Sequence, residues 1–487
     1  MKSNKSKTII ISCVVILVVA CLCLGLILAG GLGVSFLWPL DFSQEDSLPL
    51  PVQETQMPTE NSDNLLLPTP SQETQLPTET SDNPLPTQQS ELPDALSEVV
   101  LKIESQVSQI RGLSASQPVD RSLISLEELE QIVAEDFFSE YTDEDARQDV
   151  LILSLLGLLP EDFDLKSFYR DLYSEQIAGF YDDETQELFV VQGMSFGGSE
   201  KLTYAHEFTH VLQDQNYNFE EGLGLDEDSC EADSERCAAI QALVEGDASL
   251  TEVLWFQTFA TLEDYNDLRQ TFENFETPVL DEAPPYMAAD LYFPYENGLA
   301  FTQHLYDQGG FSLVDAAFEN PPTSTEQILH PERYPDDTPL IVSLPDFTDE
   351  IGEGWTLFDQ NVMGEWYTYL ILNKGYEAPY RLSENLAREA AEGWGGDAYA
   401  FYLNESTQEV VFVMDAFWDT VDDADEFAEA FGQYADLRWD SADTSVLGLP
   451  TWIGSDTTTS FLLEGNRTVW VIAPSADLVE SIFSSLR

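Results

Sequence analysis

The sequence predicts an α+β protein: a mostly helical domain carrying a β-hairpin or small sheet, followed by a second module in which helices and strands alternate. Three observations predict it. The runs LTYAHEFTHVLQDQ and ERCAAIQALVEGDASLTEVLWF are long, amphipathic and free of proline, as helices require. AGFYDDETQELFVV reads as two short strands around a turn at Asp182 to Thr185. Beyond residue 346, helix-period segments alternate with the strand-like runs AYAFYL, EVVFVMDAF, TTSFLLEG and RTVWVIAP, which predicts an antiparallel sheet.

Taken in order, the chain begins with MKSNKSK (1–7), which carries three lysines. Residues 8–40 then run without a charge, longer than the about 20 residues a bilayer core needs, and predict a membrane-spanning helix. VVAC at 18–21 resembles a lipoprotein processing box with Cys21 as its target, but the apolar run continues past it and favours an uncleaved anchor. Lysines before the span and acids after it place the N-terminus in the cytoplasm and everything beyond Asp41 outside, with the lipid bilayer as a partner.

Residues 41–95 are rich in Pro, Thr, Ser, Glu and Gln and repeat themselves, QETQMPTENSDN from Gln53 and QETQLPTETSDN from Gln72. Such composition predicts an extended tether rather than a core. The helical domain is expected at 96–345, with a Ser125 to Glu128 capping-box spacing near its start. The α+β module follows at 346–487. It has no metal or nucleophile pattern of its own, so it either packs against the first domain or binds a substrate or partner.

HEFTH at 206–210 carries the chemistry. Only four histidines occur in 487 residues, and two of them stand here at i and i+4. One helical turn apart on one face, the imidazoles of His206 and His210 can converge on a single cation, with Glu207 beside them. Two neutral imidazoles and one more protein ligand leave a zinc ion an open position, and an adjacent carboxylate can then accept a proton from water. The expected cofactor is therefore Zn2+. The competing reading is a core helix with hydrogen-bonded histidines.

Glu245, one of few polar residues on the inner face of the second helical run, is assigned as the third ligand. Glu231, Asp233, Glu235 and Asp247 compete for that role. Asp247, Asp214 and Ser249 are candidates for orienting a ligand histidine. Cys13, Cys21 and Cys23 fall in the apolar run, leaving Cys230 and Cys237 as a pair for which a disulfide is the default outside a membrane.

In order, AGFYDDETQELFVV, AHEFTHVLQDQ, ALVEGDAS, FPYENGLAFTQHLY and PPTSTEQILHPERY resemble gluzincin-like HExxH zinc metallopeptidases of the bacterial cell envelope, within the thermolysin-like (peptidase MA-like) zincin group. The resemblance covers most of residues 170–335, and GWGGDAYAFY at 393–402 is similar to the C-terminal part of the same proteins. It implies a zincin-like fold, a His, His, Glu ligand set, and hydrolysis of a peptide or protein substrate with Glu207 as proton carrier. It also implies a histidine or tyrosine outside the ligand set to stabilise the oxyanion. His330 is the favoured candidate by residue type, with Tyr334 and Tyr295 behind it, while His304 reads as an ordinary packed or surface histidine. In such enzymes a strand edge aligns the substrate backbone, a role open to the hairpin alongside a purely structural one. The chain departs from the thermolysin-like pattern at Ser249, where an aspartate would be expected.

Ninety acidic residues against nineteen Lys and Arg give a formal net charge of −71. That excludes nucleic acid as a partner. The acids in GLDEDSCEADSE are the best place to expect a second cation. The alternative to an enzyme is a catalytically retired zinc-binding envelope protein acting as a scaffold, which the intact motif glutamates argue against.

Overall fold

The computed structural model describes residues 92–486 apart from 133–140, 177–178, 184, 192–195, 276 and 440–445. The repeat-bearing tether expected at 41–95 lies almost wholly outside the described residues. The expectation of a membrane-spanning helix, and the extracytoplasmic placement drawn from it, is corrected: among the described residues no helix is long and apolar enough to cross a membrane, and the run 8–40 lies outside them.

The protein is α+β, as predicted. Its first half is built on α1 (Asp94–Arg111), α2 (Asp143–Leu155), α3 (Leu165–Gln176), α4 (Gly198–Tyr217), α5 (Glu227–Ala232), α6 (Ser234–Phe259) and α7 (Pro285–Gly309). α4 is the helix that carries HEFTH, and α6 the second helical run, which carries Glu245. The predicted hairpin forms from β2 (Gly179–Asp182) and β3 (Glu187–Val191), paired antiparallel. β3 also pairs in parallel with β1 (Asp120–Ile124), giving the order β1-β3-β2 with β2 at an edge. The capping box at Ser125 is present: its amide donates to Glu128 Oε2 at 2.7 Å and its hydroxyl accepts from the Glu128 amide at 3.2 Å.

The second half is a six-stranded antiparallel sheet in the order β4-β5-β6-β9-β8-β7. Its strands are β4 (Trp355–Asn361), β5 (Trp394–Asn404), β6 (Glu409–Trp418), β7 (Thr451–Ile453), β8 (Thr458–Glu464) and β9 (Arg467–Ala473). Strand side chains alternate faces. Phe412, Met414, Trp470 and Ile472 therefore join the apolar core shared with the helical half. Val411, Val413, Val469 and Val471 face the other way, into a smaller core with Val479, Ile482 and Phe483 of the C-terminal helix. The larger core draws residues from both sides of 345, from Val150 to Ile472, and residues 90–487 cluster as one compact unit.

α4 packs against α6 and is tied by polar contacts to α1 and β1. Arg121 on β1 donates through Nε and Nη2 to Glu104 of α1, and the Tyr204 hydroxyl of α4 donates to the same carboxylate at 2.6 Å. α6 and α7 approach most closely where Gly246 faces Gly298. A Cβ on Gly246 would lie 2.1 Å from the Gly298 carbonyl oxygen, and one on Gly298 would lie 2.0 Å from the Ala242 oxygen, so only glycine fits at either position.

Candidate metal centre

α4 is buried on nearly every side in its middle, from Tyr204 to Asp214, because β2, α1 and α6 all pack on it. His206 and His210 accordingly sit inside the protein, 1 % and 2 % exposed. Their rings lie 4.7 Å apart between centroids and stand nearly perpendicular, at 80°. Glu245, on the facing side of α6, reaches both. Its Oε2 is 3.1 Å from His206 Nε2 and 3.4 Å from His210 Nε2. Ligand-type atoms of His206, Glu207 and His210 all lie within 4.8 Å of one another.

These separations test whether a metal fits. Zinc bonds to nitrogen and carboxylate oxygen of about 2.0 to 2.1 Å make the edge of a tetrahedron about 3.3 Å. The two measured edges bracket that value. Charge points the same way, since Glu245 and Glu252 are both buried beside two imidazoles with no lysine or arginine among their interaction partners. Two carboxylates and two neutral imidazoles balance one divalent cation.

The other ring nitrogens are also provided for. His210 Nδ1 is 2.8 Å from Gln213 Oε1. The Gln213 amide nitrogen donates to Val244 O at 2.9 Å and to Asp247 Oδ2 at 2.8 Å, which leaves its oxygen to accept a hydrogen bond from Nδ1–H. His210 is thereby fixed with its Nε2 lone pair towards Glu245. Asp247 is anchored in turn by the buried Arg111 of α1, whose Nε donates to it at 2.9 Å. On His206, Nδ1 is 3.3 Å from Glu252 Oε2, a charge contact rather than an aligned hydrogen bond. Both histidines thus present Nε2 to Glu245 and have an acceptor behind Nδ1, the arrangement a ligand imidazole needs.

The electrostatics follow from burial and crowding. Burial pulls the His206 imidazole down, but Glu245 and Glu252 outweigh it and raise the group well above its ordinary value. Burial would raise Glu245, yet His210 and His206 hold it down at about 2. Burial pushes Glu207 up to about 7 against the pull of the two histidines. Glu207 is further tied to the hairpin, for the Tyr181 amide of β2 donates to its Oε2 at 2.7 Å.

Of the competing third ligands, Asp233 caps α6 by accepting from the Arg236 amide, and Glu235 accepts from the amide and hydroxyl of Thr325. Asp247 pairs with Arg111. Asp226, in the acidic run expected to attract a second cation, caps α5 by accepting from the Ser229 amide. Cys230 and Cys237 form a disulfide with Cα atoms 5.5 Å apart, tying α5 to the first turn of α6.

The residues proposed to orient a histidine are differently employed. Asp247 acts through Gln213, Asp214 accepts from the Tyr181 hydroxyl at 2.8 Å, and Ser249 Oγ is buried without a hydrogen-bond partner. Glu252 and Gln213 escaped the sequence reading, although the spacing contained them. Glu252 lies seven residues past Glu245, two turns along the same face, and Gln213 lies three past His210.

His330 is not brought to this cluster. It ends the short helix α8 (Thr325–Leu329), whose start is fastened to Glu235, ten residues and therefore about 15 Å along α6 from Glu245. Its Nε2 is 2.9 Å from Glu365 Oε1, near Arg333, which also contacts Glu326 and Asp419. Carboxylates of Glu326, Asp337 and Asp419 form a second grouping, with the Arg333 guanidinium already between them. The Tyr334 hydroxyl donates to Asn320 O, and His304 pairs with Gln308 on α7. Tyr295 alone of these candidates stands at the cluster, its ring stacked 6.3 Å from that of His206.

A cleft of about 290 Å³ opens beside α6 and takes in Glu235, Gln241, Glu245 and Tyr295. Its opposite wall comes from the second half: Asp359 of β4, Tyr367 of the helix α9 (Gly364–Asn373), and Tyr399 and Phe401 of β5. Glu235 and Glu245 both line it, so it follows α6 for about 15 Å, room for four or so residues of extended peptide.

Comparison with known proteins places residues 356–482 in a match to a family model described as Domain of unknown function (DUF8575). No curated protein matches the chain, and no solved structure does. The matched segment begins after the histidine and glutamate cluster and contains the residues of the cleft's second wall.

Proposed function

We propose that the chain is a zinc-dependent peptidase of the gluzincin-like type, with His206, His210 and Glu245 as metal ligands and Glu207 as the proton carrier. The observation that carries this reading is the meeting of two Nε2 atoms and one carboxylate oxygen at 3.1 and 3.4 Å, with a second carboxylate beside them. A motif helix crossed by a second ligand-bearing helix, with an edge strand alongside, resembles the arrangement expected of that group.

Zinc, when bound, supplies Lewis acidity that polarises a carbonyl and makes a water more acidic. The chain's own residues do the rest. Glu207 is held in place by the Tyr181 amide at one oxygen. It takes a proton from the attacking water and delivers it to the leaving nitrogen as the C–N bond breaks. β2 is an edge strand, and an extended substrate added to it lies alongside Glu207. Tyr295, stacked on His206, takes the oxyanion side that His330 is too distant to serve.

Metal content and cleavage of a casein substrate by the purified chain test this together. The expected result is about one zinc per chain and chelator-sensitive cleavage. Glu207→Gln should keep the zinc and lose turnover by about 10²- to 10⁴-fold. Equal activity in the variant, or cleavage indifferent to chelator, would refute the assignment.

A further inference from the structure

The cleft beside α6 is lined by five carboxylates, Asp149, Glu235, Glu245, Asp290 and Asp359, and by no lysine, arginine or histidine. Glu245 belongs to the histidine cluster and Glu235 is taken up by Thr325. Asp290 accepts from Trp366 Nε1 at 2.8 Å and from the Tyr367 hydroxyl at 2.7 Å. That leaves Asp149 and Asp359, contributed by the two halves of the chain. Each receives a tyrosine hydroxyl, from Tyr141 and Tyr399 respectively, and among the described residues neither has a cationic partner.

Burial lifts Asp149 to about 7, with Asp359 adding to the effect, and lifts Asp359 to about 6. A positive charge placed between them would relieve both. Tyr286 is an independent sign of an unmet polar partner. It lines the same cleft at 3 % exposure, with Asp149 and Asp290 acting on it electrostatically, and its hydroxyl has no hydrogen-bond partner among the described residues. Tyr169 and Tyr367 also line the cleft, so a cation would meet both carboxylates and the electron-rich faces of aromatic rings.

We propose that this cleft is a subsite for a cationic side chain, lysine or arginine, of the substrate flanking the scissile bond. The ammonium or guanidinium pairs with Asp149 and Asp359 and donates to Tyr286 Oη, while its methylene stem lies against Met287 and Phe293. The assignment deepens the peptidase reading and rests on it only for the word substrate.

The test uses the full chain carrying Glu207→Gln, titrated calorimetrically with Nα-acetyl-lysine methylamide and with its uncharged counterpart, Nα-acetyl-norleucine methylamide. The lysine probe should bind at least tenfold more tightly. Asp149→Asn and Asp359→Asn should each reduce that preference severalfold with zinc content and circular dichroism unchanged. The proposal is overturned by norleucine binding as well as lysine, by a preference that survives both substitutions, or by binding of neither probe at millimolar concentration. Because the pair of probes needs no substitution in the cleft, misfolding of a variant leaves the comparison intact. Failure of the peptidase reading is a separate outcome: lysine still preferred, but no cleavage of lysine-containing peptides by the parent chain.

Discussion

Replacing Gly246 by alanine should damage the candidate metal centre without touching a proposed ligand. The added methyl carbon would stand 2.1 Å from the Gly298 carbonyl oxygen and 2.9 Å from the Gly298 Cα, both backbone atoms of α7 that have no rotamer to change. Ordinary contact begins at about 3.3 Å, so α6 and α7 must part by about 1.2 Å along this seam. Glu245 is the adjacent residue on α6, and Tyr295 lies three residues before Gly298 on α7, so the displacement falls on the ligand set and on the ring stacked over it. Overpacking of this kind costs about 1 to 3 kcal/mol, and a ligand oxygen moved by a sizeable part of an ångström should weaken zinc binding by tenfold or more. Gly432 is the matching control. It lies inside the helix Val421–Arg438, and a Cβ there meets nothing within 4 Å. Gly432→Ala should therefore stabilise the protein by about 0.5 to 1 kcal/mol through helix propensity. Urea unfolding gives the two signs, and competition with a chromogenic chelator gives the zinc affinities. A Gly246→Ala protein as stable as the Gly432→Ala protein, with unaltered zinc affinity, would refute the reasoning.

Two further outcomes are expected. Glu252→Leu and Gln213→Leu should each lower zinc affinity by about 10- to 100-fold in the same chelator competition while leaving the far-ultraviolet circular dichroism unchanged, because each removes the acceptor behind Nδ1 of a histidine of the cluster. Stability should also depend on the buried Asp397, which accepts from the Met363 and Gly364 amides and from Trp394 Nε1, and which burial lifts to about 6 from an ordinary value near 3.8. The folded state then holds the proton more tightly than the unfolded one. Asp397 thus costs no stability below about pH 4, and its penalty grows through about pH 6 to on the order of 3 kcal/mol, so Asp397→Asn should flatten that part of the stability profile in urea melts.

What the sequence disclosed and what it concealed divide by range. The motif helix, the second ligand-bearing helix, the hairpin and most strands of the large sheet were legible because periodicity and turn residues are local. Glu245 was legible because it is one of few polar positions on the inner face of a long apolar helix. The parallel pairing of β1 with β3 was not, since it joins residues more than sixty apart with no turn signal between them. The tie between the Tyr181 amide and Glu207 was equally hidden, because a backbone donor has no letter. His330 failed as a neighbour of the cluster for a geometric reason: residue type nominated it, but the bond from Thr325 to Glu235 seats its helix at the wrong end of α6. The cleft could not be foreseen at all. Asp149 and Asp359 are unremarkable acids in a chain with ninety of them, and only folding brings them to one wall and its opposite.

The two-sided cleft has a consequence for how such a protein can change over time. The histidine and glutamate cluster sits on α4 and α6, whereas one face of the groove, with Asp359, Tyr367, Tyr399 and Phe401, comes from the segment that matches the domain of unknown function. On the peptidase reading proposed above, reactivity and choice of substrate would be inherited on different stretches of the chain. Drift in the sheet would then retune what is accepted without disturbing the helices, and a protein carrying this sheet beside another partner would bring that face of the groove with it.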